Sequence, residues 1–264
     1  MSADADIAIV GAGIVGLSTA YALTEAGAAV TVYERGVPGN GQSGGESRIF
    51  RHAHDDRRLV DFACEARRGW REWEERFGRE LLSRDGVVSL GAAGLRQLDA
   101  MRGAGVRAGQ IDHAELADRL PLLAEPDARA AFDEDGYGDP LPGNAAYAVG
   151  VEDTPIHDDG SVIDAGGLAA IAARTTAYVE RALPGLDPRP IDVRHCWVTE
   201  LPWSPDGFAV WELGGVLILA GNHLFKHAPA LGRALARAAL GDGLEPSLHP
   251  EARLGAELFE TSRP

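Results

Sequence analysis

Residues 7–35, IAIVGAGIVGLSTAYALTEAGAAVTVYER, constrain this chain more than any other stretch. A short apolar strand, Ile7–Val10, runs into Gly11-Ala12-Gly13-Ile14-Val15-Gly16. An alanine-rich helix follows as far as Gly27, and a second strand over residues 29–33 ends on Glu34. Gly11 permits the tight turn out of the strand. Gly13 removes the side chain that would hold a pyrophosphate off the backbone, and Gly16 lets helix and strand pack closely. The helix N-terminus offers free N–H groups and the positive end of its dipole to phosphates. Glu34 stands 23 residues after Gly11, where an acid accepts hydrogen bonds from a ribose. The segment reads as the first βαβ unit of a dinucleotide-binding sheet.

Composition narrows the rest. With 264 residues, 45% of them hydrophobic, the chain can build one large or two modest domains. A net charge of −15 argues against nucleic acid and anionic membrane surfaces as partners. No apolar run is long enough to span a bilayer, and no basic segment precedes the first strand, so no signal peptide is expected. Cys64 and Cys196 are too few for a disulfide framework, and a cytoplasmic location is expected. Among 25 basic residues a single one, Lys226, is a lysine. Chemistry that needs a side-chain primary amine must use it.

Residues 36–47 (GVPGNGQSGGES) cannot pack a core and read as a loop. They lead into Ser47-Arg48-Ile49-Phe50-Arg51-His52-Ala53-His54, a cationic cluster in an acidic chain. Residues 56–77 place Leu59, Phe62, Ala63, Ala66, Trp70, Trp73 and Phe77 on one helix face. Arg67, Arg68, Arg71, Glu74 and Glu75 occupy the opposite, solvated face. Residues 86–91 read as a strand, 94–120 as two short helices split near 103–109, and 133–144 as a dense turn region. A short strand is expected at 145–151, a helix from Asp164 to about Leu183, and strands at 193–200, 208–212 and 216–220. Residues 222–229 (NHLFKHAP) read as a loop before a last helix over 230–240. The run Val216-Leu-Ile-Leu-Ala-Gly221 is apolar on both faces, which suits an interior strand of a parallel sheet. The C-terminal part is therefore expected to rejoin the sheet begun at residue 7.

Three segments together resemble the FAD-dependent amine oxidases of the D-amino acid oxidase superfamily, in the sarcosine oxidase and N-methyltryptophan oxidase branch. They are GAGIVGLSTAYALTEAGAAVTVYER, GQSGGESRIFRHAH with the helix and strand behind it, and LPGLDPRPIDVRHCWVTELPWSPDGFAVWELGGVLILAGNHLFKHAPALGRALARAAL. The resemblance implies an α/β fold: a Rossmann-like FAD-binding domain of the two-dinucleotide type with a reduced mixed-sheet substrate domain. It implies that Gly11, Gly13, Gly16, Glu34, Arg35, Ser43, Arg48 and Gly221 contact FAD, with the ring near Arg48 and Cys196. Cys196 matches the cysteine that carries covalent flavin in that family; its alternative is an inert core cysteine. Arg51 and Lys226 match the pair that holds a substrate carboxylate, a guanidinium binding it bidentately beside an ammonium. The alternative for Arg48 and Arg51 is a surface ion pair with Asp55 or Asp56. His223 matches a histidine of the C-terminal flavin loop. His52, His54, His195 and His227 cluster around the same motifs and read mostly as hydrogen-bonded scaffold; no HxxxH or HxxE spacing marks a metal site.

The resemblance implies oxidation of an N-alkyl or cyclic amino acid by hydride transfer to the flavin. The alternative is a flavin-binding degenerate paralogue or a non-redox enzyme acting on a carboxylate-bearing amine. Residues 1–84 and 214–264 are assigned to the FAD-binding domain and 85–213 to the cap. Two departures stand out. Family members are longer, the missing part falling between about residues 130 and 136, which leaves an open sheet edge that a homodimer would cover. The family's oxygen-activating lysine is Ala148 here, and a nearby active-site histidine is Glu152.

Overall fold

The computed structural model describes residues 7–41, 43–44, 48–123, 130–134, 136–138, 165–190 and 199–256. Strands β1 (Ile7–Val10) and β2 (Val30–Tyr33) pair in parallel, Ile7 against Val30 through Val10 against Tyr33. Helix α1 (Ile14–Glu25) joins them. The chain leaves β1 through Gly11 at φ +100°, a conformation that favours glycine. Gly11 N–H donates to the Tyr33 carbonyl at 2.8 Å, which ties the turn to the end of β2. A Cβ on Gly16 would collide with the Gly11 carbonyl, so the close fit of helix start to strand end requires glycine there.

After β3 (Ile49–Phe50) comes the long helix α2 (Arg57–Phe77). Asp56 caps its start by accepting from Arg58 N–H at 2.8 Å, and Gly78 at φ +63° ends it. The same carboxylate accepts from Gly255 N–H at 2.6 Å and so fastens the residues after the last helix to α2. Next come β4 (Val87–Leu90), α3 (Gly91–Gly103), β5 (Ala108–Ile111), α4 (His113–Arg119) and β6 (Ala130–Asp133). β6 is the middle strand of an antiparallel sheet, ordered β4-β6-β5, with α3 packed on it. β7 (Tyr137–Gly138) returns to pair antiparallel with β3, and α5 (Ala165–Ala182) follows. The described chain closes with β8 (Phe208–Leu213), β9 (Val216–Gly221), α6 (Leu224–Ala239) and two short 3-10 turns, Pro246–Leu248 and Pro250–Ala252.

α6 organises the main core. It packs along α1 and α2, and Leu231, Ala234 and Leu235 join Leu59, Phe62 and Trp70 of α2 and Phe208 and Val210 of β8. The α1–α6 crossing is close. Ser18 Oγ donates to the Ala228 carbonyl at 2.6 Å, and Gly232 lies against Ser18 with no room for a Cβ.

Several expectations need correction. β9 is not an interior parallel strand: it pairs antiparallel with β8, and Val216 and Ile218 are exposed. Among the described residues β1 pairs only with β2, and the C-terminal part rejoins the N-terminal unit through α6, not through a strand. β8 contributes Phe208 and Val210 to the core it shares with α2 and α6. α6 begins six residues before its expected start and carries Pro229 inside; reading the proline as a helix breaker misplaced the boundary. Residues 108–111 form a strand between α3 and α4, too short and too polar to signal itself. Residues 133 and 137–138, expected in a turn region, lie in β6 and β7. Arg67 is buried on α2 and not solvated. Residues 199–200 are not strand; 191–198 and 145–151 lie outside the described residues.

The substitution Gly232→Ala sets helix propensity against sterics. Alanine gains about 1 kcal/mol as a helix former, while overpacking a tight contact costs about 1–3 kcal/mol. With the Ser18 backbone as well as its side chain against the site, sterics dominates. Urea unfolding is expected to show a lower midpoint for Gly232→Ala; an unchanged or higher midpoint contradicts the close crossing.

Candidate active site

The glycine turn presents backbone amides to oxygen acceptors. Ala12 N–H donates to Glu34 Oε2 at 2.9 Å and Ile14 N–H to Ser43 Oγ at 2.8 Å. Glu34 Oε1 also accepts from Gly36 N–H at 2.9 Å. The Ala12 and Gly36 donors hold the Glu34 carboxyl below its ordinary value. A Cβ on Gly13 would come within 3.1 Å of Ser43 Oγ, so a side chain there would crowd the turn. Arg35 is exposed beside Glu34.

The second half of the site is built on Asp206, in the turn before β8. Its Oδ1 faces His223 Nε2 at 2.8 Å; its Oδ2 faces His54 Nδ1 at 3.2 Å and Arg51 Nη2 at 3.4 Å. A carboxylate can only accept, so both imidazoles present N–H to it. Burial alone would raise the Asp206 carboxyl, but His223, His54 and the charge of Arg51 outweigh it and hold the group far below the carboxylate range. His223 caps α6 with φ +55° and ψ +24°, a left-handed conformation uncommon outside glycine. Gly221 precedes it at φ +140°, where a Cβ would strike the Phe208 backbone.

Behind this group lie three buried bases. Burial, then the charge of nearby Lys226, depresses the His54 imidazole well below its ordinary value. Burial does the same to His227, whose ring is enclosed by Phe62, Phe208 and His54 and whose two nitrogens have no hydrogen-bond partner. Lys226 is 4% exposed, and burial followed by the charge of Arg51 depresses its amine well below the lysine range.

A cavity of about 210 Å³ starts at Ile14, the first residue of α1, and reaches Arg48 and Lys226. Trp70, Leu81, Leu82 and Phe225 give it apolar walls. Arg48 donates to the Gly44 carbonyl and lies 5.2 Å from the centre of the Phe225 ring, which stacks on Trp70. Trp70 Nε1–H donates to the Lys226 carbonyl at 2.8 Å and fixes the first turn of α6. A larger cleft of about 620 Å³ between α1, α2 and α6 is less suited to chemistry. Its charges are spent on one another, Arg76 on Glu25 at 2.6 Å and Arg233 on Glu72 at 2.9 Å.

The sequence profile of the FAD dependent oxidoreductases matches residues 6–154, more than half of the chain. The chain belongs to this family. A Caenorhabditis elegans protein named "Putative sarcosine oxidase" is 32% identical over 154 residues, covering 56% of this chain and 38% of that protein. The chain thus matches well under half the length of this relative. Among solved structures, L-proline dehydrogenase from P. horikoshii superposes with a TM-score of 0.71 at 15% identity, over 98% of this chain and 99% of that one. NikD, an unusual amino acid oxidase essential for nikkomycin biosynthesis, does so with a TM-score of 0.70 at 17% identity, over 90% and 94%. At these identities the likeness is one of fold, and that fold is α/β with both helices and strands as expected.

The residues of this chain fit the family's cofactor. The turn at Gly11, Gly13 and Gly16 has no room for a side chain at Gly16 and little at Gly13, its amides already face oxygen acceptors, and Glu34 closes it at the end of β2. The predicted residues fall into two groups: Gly11, Gly13, Gly16, Glu34 and Ser43 at the turn, and Arg51, Lys226 and His223 around Asp206. Arg48 and Lys226 share the cavity between them. Arg51 does not pair with Asp55 or Asp56, which hold Arg96 and Arg58 instead. Cys196, Ala148, Glu152 and His195 lie outside the described residues. Asp206 was missed; an acid between Pro205 and Gly207 signals only a turn. His227, read as hydrogen-bonded scaffold, is a dry imidazole in an aromatic cage, and its position beside Lys226 gave no sign of that.

Groups whose folded form resists protonation make stability rise with pH. The His54 and His227 contribution is whole above the ordinary imidazole value of 6.5 and is lost as pH falls through it toward their lower folded values. Unfolding free energy is therefore expected to drop between about pH 7.5 and 5, each group adding up to about 1.4 kcal/mol per pH unit. His227→Leu is expected to flatten this slope. Denaturant titrations at several pH values check it; an unchanged slope contradicts a neutral buried His227.

Proposed function

We propose that the protein is an FAD-dependent enzyme that oxidises the C–N bond of an N-alkyl or cyclic amino acid. One observation carries this reading: Arg48 and Lys226, from opposite ends of the chain, line one apolar cavity that begins at the glycine turn, with Arg51 acting on the same lysine. Such a cavity suits a small molecule with an anionic end and an apolar body. The name of the worm relative, sarcosine oxidase, supports an N-alkyl amino acid.

Each residue then has a part. Gly11, Gly13, Gly16, Glu34, Arg35 and Ser43 hold the dinucleotide portion of FAD, and Gly221 lets the chain approach it closely. Bound there, FAD supplies the two-electron redox chemistry, as acceptor of the hydride from the carbon next to nitrogen. Arg48 is fixed by Gly44 and Phe225 and sets a cationic wall. Arg51 binds the substrate carboxylate; its contact with Asp206, at 3.4 Å, is long enough to yield to a better acceptor. Lys226 adds the second donor, and Trp70, Leu81, Leu82 and Phe225 keep water out. His223, tied to Asp206, holds the start of α6 in register with β8. Cys196 is the residue for a covalent flavin link. Ala148, in place of a lysine, favours an electron acceptor other than oxygen.

The purified protein is expected to be yellow and to bleach anaerobically with sarcosine, L-proline or pipecolate. Colourless protein that FAD does not restore, or flavin that stays oxidised with every such acid, contradicts the proposal. Arg51→Met should raise KM for the active substrate by roughly 100-fold, the value of a charged hydrogen-bond pair of about 2–3 kcal/mol, with a smaller change in kcat. Colour retained by acid-precipitated wild type but lost in Cys196→Ala marks the covalent link. Ala148→Lys should speed oxygen consumption; an unchanged rate removes that residue from the account of the acceptor.

A further inference from the structure

Lys226 lines the cavity and is almost wholly buried, and its side-chain amine has no carboxylate of its own among the described residues. Among the described residues Lys226 makes no ion pair, and the carboxylate close enough to act on it, Asp206, is already engaged by Arg51, His54 and His223. Trp70, Phe225, Leu81 and Ile14 surround the same space with hydrocarbon. Burial in such walls beside a guanidinium shifts the side chain away from the ammonium and toward the neutral amine. A neutral amine is a poor partner for a carboxylate, yet it is a good base.

We propose that Lys226 Nζ is the base that takes the proton from the ammonium group of the amino acid substrate, becoming in the same step the cation that faces the substrate's carboxylate. The inference rests on the reading of the cavity given under Proposed function. One N–H bond of the substrate's R₂NH₂⁺ breaks and its electron pair stays on nitrogen as the lone pair that amine oxidation requires. The proton forms the third N–H bond of Lys226, –NH₂ becoming –NH₃⁺. The charge inside the cavity does not change, so no proton has to be drawn from water.

The neighbouring groups leave this task to Lys226. Arg48 and Arg51 do not give up protons. His54 faces Asp206 with Nδ1, His227 is caged by Phe62 and Phe208, and neither lines the cavity. His223 is bound to Asp206 through Nε2. From α2 the cavity receives Trp70, which does not titrate. Of the described residues on the wall only Arg48 and Lys226 are titratable.

Proton-linked calorimetry tests the assignment without turnover. The flavin-loaded protein is titrated near pH 8 with benzoate, a carboxylate with no N–H, in phosphate and in Tris, whose ionisation heats differ. Wild type is expected to take up about one proton per benzoate bound, and glycine, which brings its own proton, close to none. Lys226→Arg, a permanent cation, should bind benzoate with no uptake, and Lys226→Met should also show none. Benzoate bound by wild type without uptake, or the same uptake in Lys226→Arg, overturns the proposal. A wild-type protein that binds no carboxylate overturns the cavity reading itself, and this inference with it.

Discussion

The carboxylate of Asp206 accepts from Arg51, His54 and His223, and the arrangement of the candidate site depends on that convergence. Arg51 and His54 arrive on the segment between the glycine-rich loop and α2; His223 arrives more than 160 residues later, at the start of α6. Asp206 itself sits where the chain turns into β8. One half-buried acid thus ties the N-terminal part of the molecule to the β8–β9 hairpin and to the helix that follows it. Removing one partner from such a group leaves the others uncompensated, at a cost that their partial exposure to water moderates. The left-handed backbone of His223 persists because β9, α6 and Asp206 together over-determine its position.

The electrostatics of the site run against those of the molecule. The chain as a whole is acidic, with a net charge of −15. The site nonetheless gathers Arg48, Arg51 and Lys226, and aromatic and aliphatic walls surround Arg48 and Lys226. Burial answers this crowding by discharging what can be discharged. His54, His227 and Lys226 all prefer the neutral form, and Asp206 remains ionised because its donors outweigh its own burial. The two guanidiniums, which cannot lose protons, remain as the permanent positive charges.

The glycine turn was legible because local backbone demands dictate it: Gly11, at φ +100°, and Gly16, packed against the Gly11 carbonyl, each answer a requirement that the structure bears out. The helix of residues 57–77 was equally plain, since its apolar spacing, its Asp56 cap and its Gly78 stop agree with one another. What failed was whatever depends on distant partners. The apolar run at 216–221 resembles an interior strand by composition, but its pairing partner is decided by β8, and its exposed residues face no further strand among the described residues. Pro229 looked like a boundary, yet the packing of α6 on α1 and α2 carries the helix through it. Asp206 was invisible for the same reason: a turn acid acquires meaning only when folding delivers an arginine and two histidines to it. Arg48, Arg51, Lys226 and His223 were found through family resemblance, which encodes such long-range contacts indirectly.

The account therefore stands on the energetic coupling between Asp206 and the cation it holds. A double-mutant cycle with Asp206→Ala, Arg51→Met and the pair, read as unfolding free energies near neutral pH, measures that coupling directly. Convergence on one carboxylate predicts an interaction of about 0.5–3 kcal/mol between the two substitutions. Strict additivity would mean that Arg51 and Asp206 are neighbours without consequence, and would contradict the organisation of the site described above.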